Sequence, residues 1–279
     1  MIIVINRFFQ EQEVKSMVRL YTKDLNIGYH EQLIVKNLNI QIPDQKITAI
    51  IGPNGCGKST LLKTLTRIIT PQSGTVVLDG KQIFHENTKI LARKMAILPQ
   101  TPESPGGLTV GELVSYGRFP YQKGFGHLTK KDYEVIDWAL EVTGTIEFKY
   151  RPVDSLSGGQ RQRVWIAMAL AQETDIIFLD EPTTYLDMAH QLEVLELLQK
   201  LNVEQGRTIV MVLHDLNQAA RFADYIIALK DGKIVKAGNG DEVMTRDVLK
   251  QVFHIDAEIG RDPRTNKPIC LTYHLLKGE

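Results

Sequence analysis

The stretch Ile47-Thr48-Ala49-Ile50-Ile51-Gly52-Pro53-Asn54-Gly55-Cys56-Gly57-Lys58-Ser59-Thr60 decides the reading of this chain. From Gly52 it spells G-x-x-x-x-G-K-S, the spacing of a phosphate-binding loop. The flanks agree. An apolar run precedes the loop, and Leu61, Leu62, Leu65, Ile68 and Ile69 follow it at helical spacing. Strand, glycine-rich loop and helix are predicted in that order. Glycines let the backbone wrap closely round an anion with N–H groups inward, and the new helix adds its positive N-terminal end. Lys58 is then placed to reach β- and γ-phosphates, and the Ser59 hydroxyl to ligate Mg²⁺.

The 279 residues suffice for one large α/β domain with insertions or two small ones. Acidic and basic residues balance at 33 each, so no global field selects nucleic acid or an anionic membrane. Cys56 and Cys270 supply neither a disulfide framework nor a metal cluster. Cys56 reads as a small residue that fits the loop. No apolar run approaches the roughly 20 residues needed to span a bilayer. Met1–Ile5 is too short for a signal core, so residues 1–17 read as an extension, with Met17 an alternative start and the domain running from Val18.

Val18 to about Ile42 alternates like antiparallel strands ahead of the loop. Further strands are expected at 75–78 and 95–98. From Thr101 a Pro/Gly-rich loop leads to Thr109-Val110-Gly111-Glu112, a capping-box pattern, and to a helix over 130–142 packed through Tyr133, Ile136, Trp138, Leu140 and Val142. Residues of about 102–163 thus read as a helical subdomain inserted into the core. The runs 175–179 and 208–213 are continuous and apolar, as buried parallel strands require. Leu192, Leu195, Leu198 and Leu201 mark a helix between them, and Asp231-Gly232 turns a hairpin. Residues 261–279 read as a C-terminal extension packed on the domain.

Four more motifs carry chemistry. Phe178-Leu179-Asp180-Glu181 puts two carboxylates at the tip of a buried strand, which is costly unless a cation or hydrogen bonds compensate. Asp180 suits the outer shell of Mg²⁺, and Glu181 suits a base that orients or deprotonates attacking water. Ser157-Gly158-Gly159-Gln160 has capping-box spacing before a helix. Its chemistry fits a second anion site and a merely well-capped helix equally. Gln100 and His214 end core strands, where a metal or water ligand and a γ-phosphate contact are expected in such sheets, although either is as readily a surface or structural residue. Tyr29 suits adenine stacking, although locally a packing role is the simpler reading.

Together these pieces resemble the ATP-binding subunit of ABC transporters. Gly52 to Thr60 matches Walker A, Gln100 the Q-loop, Leu156 to Gln160 the LSGGQ signature, and Asp180-Glu181 Walker B. Leu186-Asp187 matches the D-loop, His214 the switch histidine and Tyr29 the adenine-stacking aromatic. The resemblance runs from Val18 to about Ile255. It implies an ABC ATPase fold: a phosphate-loop core with a mainly parallel sheet, an antiparallel β subdomain and the helical insert. It implies ATP with Mg²⁺, held by Ser59, Gln100 and Asp180, and hydrolysis through Glu181, His214 and Gln100. Cys56, Ser157, Gly158, Gly159, Gln160 and Asp187 join Walker A and Tyr29 as nucleotide-binding positions. It also resolves the signature: in a head-to-tail pair, Ser157 to Gln160 of one copy closes on ATP held by the other. Tyr185, where many members have a small residue, is a departure that touches contacts across such a dimer.

Gly117-Arg118-Phe119-Pro120-Tyr121, Leu186-Asp187-Met188-Ala189-His190-Gln191 and Leu213-His214-Asp215-Leu216-Asn217 are similar to importers of iron–siderophores, ferric hydroxamate importers above all. Vitamin B12, haem and metal-ion importers share much of this wording. The implied partners are a second copy, polytopic permease subunits contacted through about Gly106 to Phe125, and indirectly a substrate-binding protein, with no nucleic acid. The implied place is the cytoplasmic face of the plasma membrane. A DNA-repair ATPase of this family would carry a long coiled coil between its motif halves, and a ribosome-acting one usually two such domains. A regulatory module without turnover would not need Glu181 and His214.

Overall fold

The structure is a computed structural model that describes residues 18–29, 32–122 and 127–276. The N-terminal extension, the alternative start at Met17, Phe125 and the last three residues of the C-terminal extension lie outside the described residues.

Two units are formed. The first contains the residues up to 86. Here the chain runs through β1 (Leu20–Tyr29), β2 (Gln32–Leu38), β3 (Gln41–Ile42), β4 (Ile47–Ile51), α1 (Lys58–Leu65), β5 (Ser73–Leu78) and β6 (Lys81–Gln82). The antiparallel entry is as predicted: β2, β1, β5 and β6 lie side by side, and β3 also pairs with β1. In β1 Leu20 and Thr22 are buried, then Leu25 and Ile27: one face alternates inward on each side of a register shift at Asp24, which takes φ 47°. All five residues of β4 are buried.

Helix α1 is shorter than the apolar spacing predicts. It stops at Leu65, and Ile68 is exposed. Arg67 takes φ 63°, and the amides of Ile68 and Ile69 both donate back to Lys63 O. The Arg67 guanidinium donates to Ile83 O at 3.0 Å and Glu86 O at 2.6 Å. Those bonds satisfy a turn that periodicity alone does not reveal.

The second unit contains residues 87–213. Its elements are α2 (Thr88–Ala92), β7 (Met95–Leu98), α3 (Val110–Ser115), a 3₁₀ turn over Tyr116–Tyr121, α4 (Lys130–Val142), α5 (Gly158–Ala171), β8 (Ile176–Asp180), α6 (Met188–Gln205) and β9 (Thr208–Val212). Strands β7, β8 and β9 are parallel and in register, Ile97 beside Phe178 and Phe178 beside Val210. Every residue of β8 and β9 is buried, as their unbroken apolar runs predict.

Capping boxes start α3, α4 and α5 at Thr109, Thr129 and Ser157. In α4 the buried stripe is Asp132, Val135, Ile136, Ala139 and Leu140. Of the expected packing set, Tyr133 is half exposed, and Trp138 and Val142 are only partly covered. Positions 132, 135, 136, 139 and 140 form one i, i+3/i+4 stripe, and 133, 138 and 142 fall off it.

A buried arginine explains the buried Asp132. Arg118, only 2% exposed, donates from Nε to Asp132 Oδ1 at 2.8 Å and from Nη1 to Ala171 O and Glu173 Oε2, both at 2.7 Å. Its guanidinium carbon lies 4.1 Å from the Tyr121 ring centroid.

The first unit resumes at His214 with α7 (Leu216–Phe222), β10 (Tyr225–Lys230), β11 (Lys233–Gly238), α8 (Gly240–Val243), α9 (Arg246–Phe253), β12 (Ile255–Arg261) and β13 (Pro268–Leu275). β10 pairs parallel with β4 and antiparallel with β11, the hairpin predicted at Asp231-Gly232. β12 and β13 pair antiparallel, with Arg261 opposite Pro268. Asn217 exchanges two hydrogen bonds with the backbone of Cys270, tying α7 to β13.

Candidate functional site

In the first unit, β4 runs straight into the phosphate loop. Gly52 has φ 155° and Gly57 φ 103°. A Cβ on Gly52 would run into Leu229 O, and one on Gly57 would stand 3.0 Å from Val35 and 3.1 Å from Ile34. Strand neighbours and backbone angles both require glycine there. Helix α1 begins at Gly57 with no side-chain cap and no acidic residue in its first turn. Its N-terminal N–H groups and dipole therefore face the loop without a competing carboxylate.

The ammonium of Lys58 is buried in this loop and donates to Gly52 O at 2.8 Å and Pro53 O at 2.9 Å. Asn54 and Gly55 are exposed, and Ser59 and Thr60 are partly covered. Cys56 is buried, its carbonyl accepting from Gly232 N at 3.1 Å. Burial pushes its thiol up against the pull of the nearby Lys58, which disfavours the thiolate. Tyr29, at the end of β1, is half exposed. His214 is exposed, next to Asp215, whose carboxylate caps α7 by accepting from Gln218 N at 2.8 Å.

In the second unit the carboxylates divide. Asp180, the last residue of β8, is 2% exposed. Glu181 takes φ 54°, a left-handed conformation that costs a non-glycine residue energy and is seen at functional sites. That turn carries Glu181 off the strand. Gln100 Nε2 donates to Glu181 Oε2 at 2.5 Å, and Thr184 Oγ1 donates to the same oxygen at 3.1 Å. The backbone closes the turn with Thr184 N donating to Glu181 O. Gln100 and Glu181, read separately from the sequence, are thus brought together.

The signature turn is a capping box. Ser157 Oγ accepts from Gln160 N at 3.3 Å, and Ser157 N donates to Gln160 Oε1 at 3.0 Å. Gly158 faces open space, so a ligand can approach its backbone closely. Gly159 lies under the His190 imidazole, where a Cβ would stand 2.5 Å from Cδ2. Asp187 caps α6 by accepting from His190 N at 3.0 Å. That bond and the one to the His190 ring hold the Asp187 carboxyl below its usual range. Tyr185 also has positive φ, 65°, and is 87% exposed.

Sequence reasoning missed Thr184 and His190. Each stands three residues beyond a flagged acid, the spacing of a turn or cap, and that spacing was the available signal.

The donor chemistry fits Mg²⁺. No group of three potential metal-ligating side chains occurs among the described residues. Mg²⁺ is commonly held by one or two protein oxygens plus substrate phosphates, and the Asp180 carboxylate at the end of β8 is an oxygen donor of that kind. No helix among the described residues is long and apolar enough to cross a membrane.

A profile of the ABC transporter family matches residues 35–184. The chain belongs to this family and carries its ATP-binding domain. The iron(3+)-hydroxamate import ATP-binding protein FhuC of Bacillus subtilis is 65% identical over 263 residues, 94% of this chain and 98% of that protein. Among solved structures, an inward-facing transporter described as of metal-chelate type matches with a TM-score of 0.79 at 30% identity, over 93% of this chain and 98% of that one. The ATP-binding cassette MJ0796, a dimer in a post-hydrolysis state bound to ADP and Pi, matches with a TM-score of 0.69 at 32% identity, over 79% of this chain and 98% of that one. The fold is that of an ABC ATPase.

Proposed function

We propose that this chain is the ATP-hydrolysing subunit of a bacterial importer for iron carried by hydroxamate siderophores. Two copies pair head to tail at the cytoplasmic face of the plasma membrane, beneath polytopic permease subunits that receive cargo from a substrate-binding protein. The observation that carries the cargo is the 65% identity to FhuC across nearly the full length of both chains.

In this reading residues 18–260 are the ATPase domain. Tyr29 stacks on adenine. Gly52 to Thr60 cradle the phosphates, and Lys58 exchanges its loop carbonyls for β- and γ-phosphate oxygens. Ser59, Gln100 and Asp180 hold Mg²⁺, which neutralises charge on the phosphates. Glu181 takes a proton from the attacking water as its oxygen bonds to the γ-phosphorus and the bond to ADP breaks. Its carboxylate is held in place by Gln100 and Thr184, which both donate to Oε2. His214 steadies the γ-phosphate. Ser157 to Gln160 and Asp187 of the second copy complete the site, and ATP-driven closure moves the permease.

A panel of ferric siderophores tests the cargo. Cells lacking this chain lose growth on ferric hydroxamates as sole iron source and keep it on ferric catecholates. Unchanged hydroxamate use, with no second ATPase able to substitute, overturns the assignment.

A further inference from the structure

His190 joins two elements that the proposed function treats separately. Its backbone N–H donates to Asp187 Oδ1 at 3.0 Å, and its ring Nδ1 lies 2.8 Å from Asp187 Oδ2. An ionised carboxylate only accepts, so Nδ1 carries the proton in that bond. The ring so fixed lies against Gly159, close enough that any side chain there would collide with it. Two further ties bind the same pair of segments. Gln162 Nε2, on α5, donates to Pro182 O at 2.9 Å, and Arg163 Nη1 lies 3.5 Å from Glu193 Oε2 on α6.

We propose that His190 is a positioning residue that locks the signature turn to Asp187. The inference rests on the head-to-tail reading above. The signature backbone and the D-loop carboxylate then reach the opposing copy as one piece. An imidazole suits this task because it is flat enough to lie on a bare Cα and polar enough to be oriented by a carboxylate. His190, Asp187 and Gly159 all belong to the second unit, and Lys58 with its loop to the first.

The test uses the full chain with Mg-ATP. His190→Ala removes the ring and its bond, and His190→Gln keeps a donor within reach of Asp187. Binding of a fluorescent ATP analogue to the single copy should stay within about twofold in both, because Lys58 and its loop are unchanged. For His190→Ala, kcat should fall about tenfold, the loss expected for a hydrogen bond to a charged group. In a Glu181→Gln background, the protein concentration needed for ATP-dependent pairing should rise by a similar factor. His190→Gln should recover much of both. Wild-type turnover and pairing in His190→Ala overturn the proposal. So does a fall in analogue binding as large as the fall in kcat, which marks general damage. If His190→Ala does not fold, His190→Gln alone decides: pairing and turnover close to wild type uphold the proposal, and losses as deep as those of Asp187→Ala overturn it. If the unaltered chain fails to pair with ATP, the head-to-tail reading itself has failed, and the two failures are distinct.

Discussion

Gln100 Nε2 donates to Glu181 Oε2 at 2.5 Å, linking the end of β7 to the residue that follows β8. Each lies just beyond the end of its strand, and the two strands are parallel neighbours, so the sheet brings the two side chains together. Glu181→Gln removes the proton acceptor while keeping shape. It should lower kcat by about 10²–10⁴-fold, the range for a positioned general base, with ATP affinity kept. Gln100→Ala removes an orienting bond and should cost about tenfold. Steady-state turnover beside equilibrium ATP binding checks both.

Lys58 places a buried positive charge on the carbonyls of Gly52 and Pro53. Lys58→Ala should weaken ATP binding by roughly 10–100-fold, the worth of a charge-assisted bond of about 1.5–3 kcal/mol. Isothermal titration measures it, and unchanged affinity removes the phosphate-loop assignment.

Ser157 can be tested so that its two roles separate. Aspartate is as good an N-cap as serine, so Ser157→Asp should keep the melting temperature. Its charge would oppose the γ-phosphate of the other copy, and like charges brought together cost several kcal/mol, so turnover should fall about 100-fold. Normal turnover leaves the turn as a cap and nothing more.

Arg118 is the buried hub of the second unit. Arg118→Ala leaves Asp132 without its cationic partner and should destabilise that unit by about 3–5 kcal/mol in chemical denaturation. A pH dependence follows from Asp132. Burial pushes its carboxyl up, but hydrogen bonds from the Thr129 side chain and backbone and from Arg118 outweigh it, and the net direction is down. A carboxyl depressed on folding stabilises above its unfolded value of about 4 and loses that contribution as pH falls through the folded value. Arg118→Ala should therefore flatten the acid limb of the stability curve. An unaltered limb contradicts the assignment.

The sheet strands and cap positions were legible because their signals are local. Unbroken apolar runs marked β4, β8 and β9, and Thr109 and Ser157 announced the starts of α3 and α5. Helix ends and packed faces were less so. Arg67 halts α1 through bonds to residues 16 and 19 positions away, and Asp132 belongs to a buried stripe only because Arg118 reaches it. Phosphate-loop chemistry could be derived from Gly52 to Ser59 alone. The roles of Thr184 and His190 could not, since each acts through an acid whose conformation the sequence does not print.

The central claim is that ATP is held between two copies of this chain. Light scattering on Glu181→Gln tests it most directly. The variant should scatter as a 31.5 kDa monomer without nucleotide and at twice that mass with Mg-ATP, reverting when Lys58→Ala is added. A Glu181→Gln protein that binds ATP yet remains monomeric at saturating nucleotide and high protein concentration would contradict the account.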